Sequence, residues 1–103
     1  MILVTIDHIP GRELEVLGIV KGSAVQTAHV GKDIGALFKT LVGGELTGYN
    51  DMMNRSRALA TERMVKSAEA LGADGIVGVR YSSASIMQSA AEIMAYGTAV
   101  KFR

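Results

Sequence analysis

The feature that most constrains this fold is a long helical pattern with a narrow apolar stripe, running from about Asp51 to Leu71. Asn50 or Asp51 can cap its start, and Gly72 stands where helices commonly end in the left-handed conformation. Helical spacing places mostly small side chains on one face, and these are Met53, Ala60, Met64, Ser67, Ala68 and Leu71. This stripe predicts close packing on a sheet. It leaves Met52, Leu59 and Val65 on flanks that would stay in water in a single subunit.

Strand patterns lie on both sides of this helix, at residues 1–6, 13–27, 76–82 and about 92–102. The second strand alternates two faces, Val16, Gly18, Val20, Gly22 and Ala24 against Leu17, Ile19, Lys21, Ser23 and Val25. Its glycines leave room for a close approach to the backbone. The last strand separates large side chains from small ones, Met94, Tyr96, Thr98, Val100 and Phe102 against Ala95, Gly97, Ala99 and Lys101. A short helix is predicted at 33–41, and the serine-rich stretch after Ser82 is interpreted as a loop.

These elements predict an α+β fold, in which one long helix packs on an antiparallel sheet in the order β, β, short α, long α, β, β. The 103 residues contain no repeat or linker, so one domain over 1–103 is expected. Both sheet faces carry apolar groups while one long helix can cover only one face. The mean hydropathy of +0.26 is high for so short a chain. We therefore expect a closed homo-oligomer.

Composition and charge exclude several function classes. The absence of cysteine removes disulfide scaffolds, thiolate metal sites and cysteine nucleophiles. Eleven basic against ten acidic residues give no electrostatic reason to bind nucleic acid or an acidic membrane. The apolar start, residues 1–6, is too short for a signal sequence or a membrane span. We expect a cytoplasmic protein with no nucleic acid, membrane or cofactor among its partners.

A metal site within one subunit is not expected. The two histidines, His8 and His29, are far apart in sequence and form no paired spacing. Met52 and Met53 are adjacent on a helix and point in different directions, while Met64 fits the core. Symmetry can nevertheless bring His or Met side chains from several subunits together, and that alternative stays open.

Glu45, Tyr49 and Arg80 form the strongest polar group in the sequence. Glu45 stands in a glycine-rich loop, residues 43–49, and Tyr49 follows it as the long helix begins. Arg80 lies within an apolar strand, so it requires solvent or a carboxylate partner. Glu45 and Arg80 either form a structural ion pair or face a pocket for a cationic or hydroxyl-bearing ligand. No catalytic constellation is identified, since Ser82, Ser83 and Ser85 have no nucleophile elbow around them.

Several motifs resemble one family over nearly the whole chain. They are Val42-Gly43-Gly44-Glu45-Leu46-Thr47-Gly48-Tyr49, Arg63-Met64 with Ala68, Leu71-Gly72-Ala73-Asp74-Gly75-Ile76-Val77-Gly78-Val79-Arg80, and Ala95-Tyr96-Gly97-Thr98-Ala99-Val100. In this order they are similar to the YbjQ-like family of small bacterial and archaeal proteins. The resemblance implies a subunit with a long helix on an antiparallel sheet, assembled as a ring-shaped homopentamer. Some members carry the label "putative heavy-metal-binding".

The expected function is therefore a ring-forming, homo-oligomeric binding or scaffold protein, whose partners are its own copies and a small ligand. The first alternative is a metal-binding protein with its site between subunits. The second is an enzyme with an inter-subunit site built from Glu45, Tyr49 and Arg80.

Overall fold

The computed structural model describes residues 1–27, 47–87 and 90–103. It consists of β1 (Ile2–Leu3), β2 (Leu14–Thr27), α1 (Thr47–Ala70), β3 (Gly75–Met87) and β4 (Ala90–Phe102). The predicted α+β class is confirmed. The short helix predicted at 33–41 lies outside the described residues.

The four strands form one mixed sheet in the order β1-β3-β4-β2. Strand β4 pairs antiparallel with both β2 and β3, but β1 pairs parallel with β3 through Ile2 opposite Gly75 and Leu3 opposite Ile76. The prediction of a purely antiparallel sheet is therefore wrong at β1. Apolar and β-branched residues favour an extended backbone, but the direction of pairing depends on contacts with a strand more than 70 residues away.

The serine-rich stretch is a strand, not the predicted loop. Strand β3 continues through Ser82, Ser83 and Ser85, which pair with Met94, Ile93 and Ala91 of β4. Serine favours turns because its hydroxyl competes for local backbone groups, a weak preference that a continuous strand ladder overrides. The long β3–β4 pair extends the sheet well beyond the part that β1 covers.

Helix α1 ends in a Schellman motif at Gly72. Its φ is 77°, the N–H of Gly72 donates to the Glu69 carbonyl at 2.9 Å, and the N–H of Ala73 donates to the Ala68 carbonyl at 3.1 Å. The predicted terminator is thus confirmed, while the helix begins at Thr47, earlier than Asp51. Among the described residues, no helix combines the length and the apolar character needed to cross a membrane.

The buried stripe of α1 follows a spacing of four residues. Ser56, Ala60, Met64 and Ala68 are each fully buried, and the Ser56 hydroxyl donates to the Met52 carbonyl at 2.9 Å. Of the predicted stripe, Ala60, Met64 and Ala68 are confirmed, whereas Ser67 and Leu71 are exposed. Leu59 and Val65 pack against the core and are half-buried, so the prediction that they stay in water is wrong. The small side chains of the stripe let the helix lie close to the sheet, and Leu59 and Val65 pack onto the core from its flanks.

Gly22 is the point at which helix and sheet approach most closely. A Cβ built there would meet the backbone N of Met64 and the carbonyl oxygen of Ala60, and would lie 2.7 Å from the carbonyl carbon of Arg63. The close approach predicted for this strand is therefore to the chain's own helix.

A register shift in β2 between Val16 and Gly18 breaks the predicted alternation of faces. Val20, Gly22 and Ala24 are buried as one face, but Val16 is 68% exposed. A bulge adds one residue to a strand and turns the residues before it to the opposite face. Leu17 packs against the core in place of Val16.

Asp74 ties the end of the helix to the last strand. Its carboxylate accepts a hydrogen bond from the N–H of Phe102 at 2.8 Å, and its own N–H donates to the Val100 carbonyl at 2.8 Å.

Asp74→Ala is expected to lower the free energy of unfolding by about 1.5–3 kcal/mol, because the hydrogen bond from Phe102 is to a charged group. Urea titration measures this. Glu69→Ala on the exposed face of α1 is the control, and an equal loss in both variants contradicts the role of Asp74.

Candidate functional site

The face of the sheet opposite α1 is open. We call the open face the surface formed by alternate residues of three strands: Ile19, Lys21, Ser23 and Val25 of β2, Arg80, Ser82 and Ala84 of β3, and Glu92, Met94 and Tyr96 of β4. Ile19 is 83% exposed and Val25 is 54% exposed. Within the ranges that the structure describes, no helix or strand packs on this surface.

The segment between β1 and β2 limits the open face at one end. Arg12 lies over the ring of Phe102, with its guanidinium carbon 4.6 Å from the ring centroid. The Gly78 N–H donates to the Ile6 carbonyl at 2.8 Å, and Val77 and Val100 are buried in this region. The open face therefore begins beyond these residues and runs outward along β2, β3 and β4.

Three side chains with polar heads form one row across the open face. Tyr96 of β4 is paired with Lys21 of β2 on one side and with Arg80 of β3 on the other. The opposite orientation of the neighbouring residue supports this placement. Tyr81 follows Arg80 and turns to the helix side, where its hydroxyl and that of Thr61 share a hydrogen bond of 2.8 Å. In this row the backbone positions of two basic residues, one on each side, flank that of a tyrosine.

Arg80 is held by backbone carbonyls. Its Nη1 donates to the Thr5 carbonyl at 2.8 Å and to the Val79 carbonyl at 2.9 Å. The residue is exposed, and the ion pairs found among the described residues do not include it. Among the described residues, this guanidinium contacts carbonyl groups and solvent, and its predicted carboxylate partner, Glu45, lies outside them.

The two outer edges of the sheet differ. On β2, the carbonyls of Ser23 and Lys21 accept hydrogen bonds from the side chains of Arg63 at 2.6 Å and Ser67 at 3.5 Å. On β3, the backbone hydrogen bonds with the N-terminal segment extend only as far as Val79, and residues 81–86 are exposed. In the part of the chain that is described, no strand pairs with the outer side of β3 beyond Val79, and we call this part the open edge. Unpaired strand edges are sites of association.

A small cavity lies beside the open edge on the helix side of the sheet. Its volume is about 240 Å³, and it is lined by Met53, Ser83, Ala84, Ser85 and Ala91. Hydroxyl groups, a thioether and methyl groups give it a mixed surface without charge. The sequence pattern of these serines indicates a loop, and no spacing in it links them to Met53.

The predicted group of Glu45, Tyr49 and Arg80 is placed only in part. Glu45 lies outside the described residues. Tyr49 lies in the first turn of α1, 15 residues before Met64, which is about 22 Å along the helix axis. Arg80 is on the opposite side of the sheet from the helix, and Met64 lies near its level through Gly22. One subunit therefore leaves Tyr49 and Arg80 apart. The pairing of Glu45 with Arg80 remains a prediction.

Metal ligands are scarce in the described part of the chain, which contains no group of three or more His, Cys, Asp or Glu side chains able to hold an ion. His8 is engaged with its neighbour, since its Nδ1 lies 3.1 Å from Asp7 Oδ1. That hydrogen bond lowers the pKa of the exposed Asp7 carboxyl, with help from its own backbone and from the charge of His8. His29 lies outside the described residues.

Comparisons with known proteins agree over the full length. A family model described as "Putative heavy-metal-binding", YbjQ_1, matches residues 1–103. A UPF0145 protein of Alkaliphilus metalliredigens is 63% identical over 102 residues, covering 99% of each chain. A UPF0145 protein of Fervidobacterium nodosum is 58% identical over 104 residues, covering 100% of this chain and 96% of the other.

The fold has a counterpart among solved structures. A crystal structure from Pediococcus pentosaceus, described as a protein with unknown function of the DUF74 family, superposes with a TM-score of 0.75 at 17% identity. The match covers 100% of this chain and 98% of that one. At this identity the likeness concerns the fold alone.

Proposed function

Because this chain belongs to the YbjQ_1 family, and because its described residues assemble no catalytic constellation, we propose that it is a binding protein that works as a closed ring of identical subunits. Its copies are its first partners, and a small ligand is the second. The five-fold number follows from the family resemblance. The open face and the open edge supply the contacts between copies.

The exposure of Ile19 carries the proposal. An isoleucine that is 83% exposed in the middle of a long strand stands on a face that also exposes Val25. Burying apolar surface contributes about 25 cal/mol per Å² removed from water, and contiguous apolar patches on soluble proteins commonly mark contact sites. Helix α1 packs on the other face of the sheet and does not cover Ile19. A second copy of the chain is present wherever the protein is in solution, and it is the partner we propose for this surface.

The shape of the chain supports the same proposal. Its radius of gyration is 16.9 Å and its extents are 53 × 23 × 16 Å. A compact domain of this length has a radius of gyration of about 13 Å. In the described residues, a single helix packs on a long, thin sheet and leaves its other face exposed. Neighbouring copies remove such surface from water without any change in the fold.

The difference between the two sheet edges favours a ring. In the ranges that the structure describes, no side chain donates to the open edge of β3 as Arg63 and Ser67 do to β2. An open edge that contacts a different surface of the next copy makes a head-to-tail interface, and such interfaces generate rings when the rotation closes. Strand β3 and the open face then belong to one continuous contact.

The test is the mass in solution. Wild-type protein at micromolar concentration is expected to sediment with a mass near five times 10.9 kDa. Ile19→Asp should shift the mass toward one subunit at the same concentration, because a carboxylate would have to be buried without a partner. The residue is exposed, so the fold of one subunit should be retained in circular dichroism.

Ala58→Asp is the matched control, since it introduces the same group on the exposed side of α1. It is expected to leave the mass unchanged. A stable monomer in the wild type overturns the ring. Loss of assembly in Ala58→Asp but not in Ile19→Asp would transfer the contact to the helix and contradict the role of the open face.

Metal binding at a junction between copies is the second candidate, favoured by the description of the family model. It requires His or Met side chains of several subunits to converge, because the chain has no cysteine. Elemental analysis of protein purified without chelator tests it. Less than one bound metal ion per ring contradicts it and leaves the assembly proposal untouched.

A further inference from the structure

The open edge of β3 presents backbone groups that point away from the sheet. Val79, the last residue bound by the N-terminal segment, donates its N–H to a carbonyl of that segment at 3.0 Å. The register of β3 with β4 is then regular over residues 80–85. In an antiparallel pair, alternate residues bond to the partner strand, and the residues between them turn their N–H and C=O groups to the other side. Tyr81, Ser83 and Ser85 therefore direct their backbone groups outward.

The pairing of β4 with β2 leads to the same assignment. The Ser23 carbonyl accepts from Arg63 on the outer side of β2, so Ser23 does not share backbone hydrogen bonds with Met94, its partner on β4. Met94 then bonds to its other neighbour, Ser82 of β3. Because Ser82 turns inward, the next residue, Ser83, turns outward.

The sequence of this edge lacks the residues that commonly protect exposed strands. Residues 81–91 contain no proline and no charged side chain. Natural sheets blunt their free edges with lysine, proline or inward-pointing charges, because an unprotected edge pairs readily with another strand. Tyr81 and Ile86, near the two ends of the edge, are 49% and 52% exposed. Both the backbone and the side chains of this edge therefore favour pairing.

The cavity beside the open edge suits a side chain of an added strand. Its volume is about 240 Å³, and Ser83 and Ser85 line it together with Met53 of α1. Alternate side chains of a strand added to this edge would point to the helix side of the sheet, where the cavity lies. The uncharged lining fits an uncharged side chain. One added strand would thus bond to the edge and fill the cavity.

We infer that an extended segment of the next copy adds to the open edge as a further strand and places one uncharged side chain in the cavity. The inference rests on the proposed ring and deepens it, because it names the backbone groups through which copies join. A second copy is the occupant because the edge continues into the open face. A separate peptide could pair with the edge, but it would leave Ile19, two strands away on β2, exposed.

Hydrogen exchange of single amides, followed by NMR, tests the pairing. The wild type is compared with Ile19→Asp at a concentration where that variant is monomeric. The Ser83 and Ser85 amides are expected to exchange about 100-fold more slowly in the wild type, because exchange then requires the bond between copies to open. The Ser82 and Ala84 amides bond to β4 within one chain, so they should be protected in both proteins.

Ser83→Pro removes the outward N–H and leaves the β3–β4 hydrogen bonds in place, since proline is tolerated on an edge strand where its nitrogen faces outward. It should raise the concentration at which the ring half-dissociates by about ten-fold or more, because a hydrogen bond is lost and its partner carbonyl is left unpaired. Ser83→Ala is the matched control, since it keeps the N–H and should dissociate as the wild type does. Circular dichroism checks that both variants retain the fold.

Ala91→Leu tests the cavity without altering the edge. Ala91 lines the cavity from β4, so the larger side chain occupies the space from within the same subunit. Assembly should weaken about ten-fold, because the incoming side chain loses its place. Ala91→Ser, which adds a single atom, should assemble as the wild type does. Unchanged assembly in Ala91→Leu contradicts the entry of a side chain into the cavity.

The mass in solution, read on the same samples, separates the inference from the ring. A wild type with the mass of the ring, but with Ser83 and Ser85 amides as fast as in Ile19→Asp, overturns the strand addition and leaves the ring standing. A monomeric wild type overturns the ring and the inference with it. Slow Ser83 and Ser85 amides in monomeric Ile19→Asp would show that the chain covers its own edge, which also overturns the inference. Equal weakening in Ser83→Ala and Ser83→Pro would assign the effect to the hydroxyl group and contradict a role for the N–H.

Discussion

Gly22→Ala is expected to lower the free energy of unfolding by about 3 kcal/mol or more. The added methyl group would meet the backbone of α1 at Ala60 and Met64, and would approach the carbonyl carbon of Arg63 to 2.7 Å. Side chains can rotate away from an intruding atom, but a helix backbone can only move as a whole. Overpacking a core costs about 1–3 kcal/mol when side chains yield, and more when backbone must move.

Gly18→Ala is the matched control, because it makes the same change in the same strand. Gly18 has a φ of 137°, and nothing lies within 4 Å of a Cβ placed on it. Only conformational strain is introduced there, at a cost of about 1–3 kcal/mol. Urea unfolding at one fixed protein concentration measures both variants. Equal losses would show that the close approach of helix and sheet at Gly22 is not a constraint.

Met64→Ala is expected to lower the free energy of unfolding by about 3–5 kcal/mol, since large-to-small changes of this kind in a core remove contacts and leave a cavity. Met64 is fully buried and belongs to the cluster formed with Val20, Ile76 and Ile93. The helix cannot collapse into the space, because its backbone already touches Gly22. The cost should therefore fall toward the upper end of the range.

Two further variants test whether the loss of stability in Met64→Ala reflects the position of Met64 in the core. Met64→Leu conserves volume and should cost less than about 1.5 kcal/mol. Met94→Ala removes a half-buried methionine from the open face and should cost about 1 kcal/mol in a single subunit. A loss in Met94→Ala as large as that in Met64→Ala, at a concentration where the protein is monomeric, would contradict this location of the core.

Much of the fold could be predicted because local chemistry and the final structure agree. Gly72 ends the helix as its position indicates, and the small stripe of α1 matches the small face of β2 at Gly22. The errors fall where pairing with another strand decides. The bulge near Leu17 and the parallel direction of β1 depend on partner strands far away in sequence. The strand at Ser82–Ser85 depends on its ladder with the neighbouring β4.

The candidate site could be predicted from the sequence only in part, because strand pairing decides its arrangement as well. Alternation alone places Lys21 on one face of β2 and Tyr96 on one face of β4, and Arg80 stands out as a cation in an apolar strand. Alternation does not determine the register that places these residues side by side. A shift of one residue in the pairing reverses every face. The grouping of Arg80 with Glu45 and Tyr49 followed residue chemistry, without knowledge of which side of the sheet each would occupy.

The position of β4 has a consequence for how the molecule comes into being. This strand follows β2, α1 and β3 in the chain, yet it lies between β2 and β3, and Leu14 must wait for Phe102 before it is paired. Contacts so distant in sequence slow the search for the native state. During synthesis β2 and α1 emerge with no sheet to complete them, and their apolar faces are open to wrong partners until β4 appears. Removing residues 94–103 would therefore not trim an edge but would divide the sheet, and a stop in translation before β4 should yield an insoluble chain.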